Sequence, residues 1–378
     1  MKQTPLNQWH RARGATMTDF NGWDMPLFYT GITEEHRHTR TATGLFDLCH
    51  MGRIRVTGAG AKPFLDRLTA AKVTQAAPGE VQYSFLLRPD GTTIDDITIY
   101  HDETDAMLVV NAGNKERALA WISEQAADVP DVTVEDLSDA WGMVAIQGPG
   151  ARRVVAALFG ALPELDTYYR FVNLADTVAP RAILSTTGYT GEHGYELYLP
   201  AEHLPRAWEA LMAACPEAHV KPIGLGARDS LRLEAAMPLY GHEWDDTTTP
   251  LEAGLVKFVD FDKGDFTGRT ALAAVRDSGG PTRRLVGFEL VAKGPVARQG
   301  FAVHATDVAN EDSAPNEKNP SVGIVTSGIH SPTLGKVIGL AYVHPSLATV
   351  DTPIFIEIRG CLHPAVVVRR PFYKRSAD

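Results

Sequence analysis

The chain is poor in three features that would each have pointed to a class of protein. Its three cysteines, Cys49, Cys215 and Cys361, are odd in number, far apart and without a C-x-x-C pair, which speaks against a disulfide framework or a thiolate zinc site. It has no basic excess: 36 Lys and Arg stand against 46 Asp and Glu, giving a formal charge of −10. No global field therefore draws it to a phosphate backbone or an anionic bilayer. It also lacks a long apolar run, since nothing approaches the roughly 18 residues a membrane span requires, and Met1-Lys2-Gln3-Thr4-Pro5 carries no apolar leader core. The expectation is a soluble, reduced, cytoplasmic protein with no nucleic-acid or membrane partner. What is present is ordinary globular composition, 44% hydrophobic with 33 Gly and 24 Pro in 378 residues, enough for two or three packed domains.

Periodicity divides the chain. Arg53 to Thr57 alternates as a half-buried strand, Gly58 to Ala71 carries helical spacing, and Gln82 to Leu87, the turn Arg88-Pro89-Asp90-Gly91 and Thr93 to Tyr100 form a hairpin. Ala106 to Val110 as a strand, Asn114 to Gln125 as a helix and Val132 to Leu137 as a strand complete a β-α-β-β-β-α-β unit over 52–137. A second α+β unit starts at Trp141 to Gln147, with a helix to about Phe159, strands at Arg181 to Thr186 and Tyr195 to Leu199, and helices near 201–214 and 225–236. From about Thr282 short strands separated by Gly and Pro predict a β-barrel or sandwich, and the polar stretch from Ala305 to Pro320 predicts an exposed loop.

Several motifs carry possible chemistry. On the strand from Thr93, Asp96 shares a face with Thr98 and Tyr100, while Asp95 shares the other with Ile97 and Ile99. Pairing Arg88 with Gly91 sets Tyr83 opposite Asp96, and a bulge at Gly91 slips that register by one. An aromatic ring beside a carboxylate suits a cationic or ring-shaped ligand, whereas the plain alternative is a solvated strand end. Thr187-Gly-Tyr-Thr-Gly-Glu-His-Gly194 lacks the Lys-Ser/Thr of a phosphate loop. It reads either as a close approach to a flat ligand with Tyr189 stacking and Glu196 taking an amidine-like edge, or as a glycine-bearing hairpin. Gly224-Leu-Gly-Ala-Arg-Asp229 lacks the third glycine of a dinucleotide site. Arg228 in that segment could bind a carboxylate, or pair structurally with Asp229 or Glu234. Glu34, Glu35, His36 and His38 lack metal-site spacing and read as a solvated face, Cys49-His50 as buried packing, and Arg369 to Arg375 as a local basic patch.

The order and wording of these motifs resemble the T-protein of the glycine cleavage system, a tetrahydrofolate-dependent aminomethyltransferase family. The resemblance runs through Asp19-Phe-Asn-Gly-Trp-Asp-Met-Pro-Leu27, His50-Met-Gly52, Tyr83-Ser84, Ile94-Asp-Asp96, Val110-Asn-Ala112, Thr187-Gly-Tyr-Thr-Gly-Glu192, Gly224 to Asp229, Arg232-Leu-Glu234, Asp265-Phe-Thr-Gly268, Ser331-Pro-Thr-Leu-Gly-Lys336 and Pro371-Phe-Tyr373. It implies an α+β, three-domain cloverleaf around a folate channel: 1–51 with 138–275, an inserted ferredoxin-like 52–137, and a C-terminal antiparallel β-barrel or jelly-roll-like domain over 276–378. It further implies Asp96 as the catalytic carboxylate and Tyr83, Asn111, Tyr168, Tyr189, Glu196, Arg228 and Tyr373 as cofactor-binding positions, with no metal. Tetrahydrofolate would be the one-carbon acceptor, and a lipoylated H-protein with other glycine cleavage components the partners. Three positions depart from the family pattern: Thr186 stands where Arg is usual, Thr92 where a second Gly is usual, and Cys49 where Ser is usual. Two other readings on the same scaffold are a folate-dependent demethylase of a small S-, N- or O-methyl substrate and a non-catalytic folate-binding protein of iron–sulfur assembly. Lys263-Gly-Asp-Phe-Thr-Gly268 lacks the cysteine that marks the latter.

Overall fold

Period-two and period-3.6 stretches alternate along the chain, and the computed structural model describes residues 1–174, 178–305 and 320–375 of the folded protein. Two units emerge: one from 1–87, 94–229 and 260–267, the other from 88–93, 230–259 and the chain from 268 onward.

The first unit holds two sheets. One has five strands in the order Val81–Leu87, Thr93–His101, Ala106–Val110, Gly52–Thr57 and Thr133–Asp136. Helices Ala61–Leu68 and Lys115–Ala126 cover one face of it. They do so because Phe64, Leu65 and Leu68, and Ala118, Ile122 and Ala126, recur at helical spacing and pack with Ile54, Ile97, Ile99 and Leu108. Each fully buried isoleucine contributes about 1.5–3 kcal/mol. The β-α-β-β-β-α-β order expected for 52–137 is the order found.

The other sheet runs Phe171–Asn173, Ile183–Ser185, Gly194–Pro200, Trp141–Gln147, Thr43–Asp47 and Val220–Ile223, the last pair parallel. Helices Ala151–Phe159 and Leu204–Ala213 bury Val154, Val155, Trp208 and Leu211 in a core separate from the first. Beside it, Asp47 Oδ2 takes the His10 ring at 2.9 Å and the Thr4 hydroxyl at 2.6 Å. Tyr29 closes this chain of contacts with its hydroxyl 2.8 Å from His10 Nδ1.

The second unit contains a closed barrel: Arg284–Leu290, Val337–Val343, Gly323–His330, Ala302–His304, Pro353–Ile358 and Cys361–Val368, with the last strand pairing back to the first. Alternate residues Val286, Phe288 and Leu290, Ile354, Ile356 and Ile358, and Ala365 and Val367 point into its core. A barrel, not an open sandwich, thus realises the expected C-terminal β texture. Sequence reading missed the strand Cys361–Val368, whose Pro364 argues against a strand; its expected strand from Ser321 to Thr326 is found as Gly323–His330, with a bulge between Val325 and Ser327. The hairpin Thr16–Phe20 with Trp23–Phe28 and the helix Ile32–Thr41 were also unanticipated. The polar loop expected over 305–320 falls almost wholly outside the described residues. Among the described residues no helix is long and apolar enough to cross a membrane.

Candidate active site

The site begins at the hairpin. Gly91 sits at φ +82° and the Arg88 N–H bonds Thr92 O at 2.9 Å, so the turn takes the bulged form. Beyond it the Tyr83 hydroxyl donates to Asp96 Oδ2 at 2.8 Å. Asn111, immediately after Ala106–Val110, donates its Nδ2 to Asp96 Oδ1 at 2.8 Å and to Asp95 Oδ1 at 2.9 Å. Both oxygens of half-buried Asp96 are thus held, which fixes the carboxylate's orientation. Burial, then the charge of Asp96 and its hydrogen bond, push the Tyr83 phenol well above its ordinary range, and the phenols of Tyr169 and Tyr189 add to the effect.

The face carrying Asp96, Thr98 and Tyr100 is not a solvated strand end. Tyr100 is 1% exposed, and its hydroxyl lies 2.7 Å from Tyr198 Oη and 3.3 Å from Glu196 Oε2. Strand alternation puts Glu196 and Tyr198 on one face of Gly194–Pro200, so they act together. Glu196 Oε2 accepts hydrogen bonds from Tyr100, from Tyr198 at 3.1 Å and, at closer range, from Thr187. Three hydroxyls thus fix one oxygen of a buried carboxylate, leaving Oε1 able to accept N–H groups from a ligand.

The glycine-rich segment is shaped by what lies beneath it. Gln147 donates to Thr187 O at 3.2 Å and Tyr195 O at 3.3 Å and accepts from the Thr190 hydroxyl at 2.8 Å. A Cβ at Gly188 would lie 2.2 Å from Gln147 Oε1 and one at Gly194 2.3 Å from Nε2, so both positions require glycine for close approach. Arg40 clamps the turn from the side, reaching Thr190 O at 2.7 Å and Glu192 Oε1 at 2.8 Å. Held this way, the loop presents Tyr189 half-exposed, with the Arg228 guanidinium 4.6 Å from the ring centroid.

On Leu225–Glu234, Arg232 makes a buried ion pair. It meets Glu243 Oε2 at 2.6 Å and is 1% exposed. Arg228 is half-buried and also reaches Met51 Sδ at 4.0 Å. Burial and then the Arg228 charge drive the ring of His50 down to about 3, so His50 is neutral beside it.

Tyr168 is 38% exposed, with its ring 5.5 Å from that of Tyr169. Tyr169, itself 37% exposed, also feels the carboxylates: desolvation, then the charges of Glu196 and Asp96, push its phenol to about 12. Sequence reasoning passed over Tyr169, which sits at a φ of +61°. Thr186, standing where the family has arginine, is wholly buried and stitches this segment. Its Oγ1 donates to Thr167 O at 2.7 Å and accepts the Arg170 N–H at 3.1 Å. Tyr373 belongs to the second unit, where its N–H donates to Glu234 O at 2.9 Å. Cys49 is buried against Met143, its Sγ 3.4 Å from that residue's carbonyl.

The acidic and histidine cluster near residue 35 is only partly a solvated face, with Glu34 exposed. Glu35 and His36 are buried, and Glu35 accepts the N–H groups of Tyr29, Thr30 and Gly224 at 2.6, 2.9 and 2.8 Å. Among the described residues no group of three or more His, Cys, Asp and Glu side chains is arranged to hold a metal ion. In the C-terminal basic segment Arg370 turns inward to Ala253 O at 3.4 Å, so the patch is smaller than its sequence suggests.

An α+β unit with paired carboxylates ringed by tyrosines, joined in one chain to a closed antiparallel barrel, defines a class that comparison with known proteins identifies. Residues 6–263 match the GCVT N-terminal domain and residues 283–374 the glycine cleavage T-protein C-terminal barrel domain. A protein of Geobacillus thermodenitrificans named aminomethyltransferase is 42% identical over 378 residues, covering 100% of this chain and 99% of that one. Another of that name from Streptomyces coelicolor is 44% identical, covering 100% and 98%. The crystal structure of glycine cleavage system aminomethyltransferase T from Bartonella henselae superposes with a TM-score of 0.89 at 31% identity, covering 99% of this chain and 98% of its own. The chain belongs to the glycine cleavage T-protein family and is an enzyme of the aminomethyltransferase class.

Proposed function

We propose that this protein takes the methylene carbon of an aminomethyl group, carried on the dihydrolipoyl sulfur of a lipoylated H-protein, and transfers it to tetrahydrofolate with release of ammonia. The observation that carries the reading is Asp96, a carboxylate whose two oxygens are separately fixed by Tyr83 and Asn111. The carbon changes hands through iminium-like cationic character, and a preorganised negative charge stabilises that character with little reorganisation. Asp96 is also suited to orient or accept the proton of the attacking amine.

Glu196 supports folate as the acceptor. Its Oε2 is tied up by hydroxyls, and its Oε1 suits the paired N–H groups of a pterin's guanidine-like edge. Tyr83, Tyr168, Tyr169 and Tyr189 supply ring surface, and Asn111 an amide. Arg228 is assigned to an anionic group of the folate or to the approaching lipoyl arm, and Tyr373 to a further ligand contact. We read the chain as three domains with the boundaries expected from sequence, a division supported by its three separate hydrophobic cores, and as a cytoplasmic protein. Incubation with aminomethylated H-protein and tetrahydrofolate should release ammonia and form 5,10-methylenetetrahydrofolate. A folded, folate-binding sample that released none would overturn the proposal.

A further inference from the structure

Asp95 is the one feature of the site that the proposed chemistry does not use. It lies on the core face of its strand, alternating with Ile97 and Ile99, and is wholly buried. An apolar residue there would extend the adjoining core at no electrostatic cost, so a carboxylate in that place calls for a reason. Neighbouring strand residues point to opposite faces, so Asp95 and Asp96 do not meet directly. Their link is Asn111, whose Nδ2 stands 2.9 Å from Asp95 Oδ1 and 2.8 Å from Asp96 Oδ1. Asp95 in turn fixes Asn111 at a second point, accepting its backbone N–H on Oδ2 at 2.8 Å. A third donor, Asn114 Nδ2, approaches Asp95 Oδ1 at 2.7 Å.

We propose that Asp95 is a positioning residue for the transfer reaction: by gripping Asn111 at backbone and side chain it aims the Asp96 carboxylate, and its own ionisation sets the total negative charge that the reacting carbon meets. This rests on the function proposed above and concerns the residue behind the catalytic one. The groups around Asp95 are few. Asp96 lies on its own strand, and Tyr83 on the neighbouring strand touches Asp96. Neutral Asn111 and Asn114 come from the following turn, and Arg117 from the helix after it. The Arg117 guanidinium is engaged with Asn114 Oδ1 at 2.7 Å and Ile94 O at 2.9 Å.

Burial and then repulsion from Asp96 raise Asp95 to about 8 against the pull of its asparagine donors. Asp95 therefore stays protonated where an ordinary carboxylate is charged and ionises only near pH 8. The added charge favours a cationic carbon, so kcat rises through that ionisation.

The test has a part that needs no substrate. In wild-type protein labelled at the aspartate carboxyl carbons, one aspartate should titrate near pH 8 by carbon NMR. That signal should vanish in Asp95→Asn. In Asn114→Ala, which removes a donor to the charged form while leaving Asp96 and Asn111 intact, it should move to higher pH. In turnover, Asp95→Asn should lower kcat about tenfold or more, leave tetrahydrofolate affinity within about twofold, and abolish the kcat transition near pH 8. Asn111→Ala should remove most of that effect when combined with Asp95→Asn, because the bridge is already cut. An aspartate titrating only in the ordinary range in both the wild type and Asn114→Ala, or Asp95→Asn keeping wild-type kcat and pH profile, would overturn the proposal. Normal titration in a protein that released no ammonia would instead defeat the functional reading and leave the coupling between the two carboxylates standing.

Discussion

Replacing Asp96 by asparagine removes a charge and almost nothing else. Its Oδ1 can still accept from Asn111 Nδ2, and the new amide can donate to Tyr83, whose hydroxyl is free to rotate. The fold should therefore survive. A unit charge about 4 Å from a developing cation is worth about 4 kcal/mol at an effective dielectric constant near 20. At about 1.4 kcal/mol per tenfold change in rate, kcat should fall on the order of a thousandfold. The stabilisation exists only when the carbon is cationic, so affinity for tetrahydrofolate should change little. Single-turnover ammonia release from aminomethylated H-protein gives the rate, and equilibrium titration of folate gives the affinity. Full turnover in the variant, or a loss of affinity as large as the loss of rate, would refute the reasoning.

Tyr83→Phe deletes one of the two donors to Asp96; a hydrogen bond to a charge is worth about 1.5–3 kcal/mol, so kcat should drop about 10- to 100-fold in the same assay. Glu196→Gln should weaken tetrahydrofolate binding by a similar factor and spare kcat at saturation, with a normal dissociation constant counting against a pterin-facing role. Gly188→Ala sets a methyl against Gln147 and should cost about 1–3 kcal/mol in denaturant unfolding, a loss that shrinks when Gln147→Ala is added. Burial opposes the charge of Asp47, yet hydrogen bonds from His10, Thr4 and the Cys49 N–H with the His10 charge hold it at about 2. Because that value lies below its ordinary 3.8, the associated stability, about 2–3 kcal/mol, is present above pH 4 and is lost as pH falls through 2. Asp47→Asn should flatten acid unfolding across that window, and an unchanged slope would remove Asp47 from the account.

Much of this was legible in the residues. The hairpin carrying Asp96 could be read because a turn tetrapeptide separates two alternating runs, and the expected juxtaposition of Tyr83 and Asp96 is seen in their hydrogen bond. Cys361–Val368 escaped because a proline in a barrel strand mimics a break. The solvated alternative for the strand end carrying Asp96 failed because a polar strand face looks the same in sequence whether it meets water or a second sheet. Tyr169 was passed over beside Tyr168, because the charges of Glu196 and Asp96 that act on it come from strands distant in the chain.

The sequence by itself determined the α+β and barrel texture, the family and the chemical types at the site. It did so through local periodicity, turn residues and motif order, all of which act over a few residues. Only the tertiary structure decided which oxygen of Glu196 is spent on Tyr100, Tyr198 and Thr187. The same holds for the buried ion pair of Arg232 with Glu243, and for the Asn111 carboxamide that spans both aspartates. Those outcomes depend on partners far apart in the chain, whose hydrogen bonds gain or lose their value only once folding has removed the water between them.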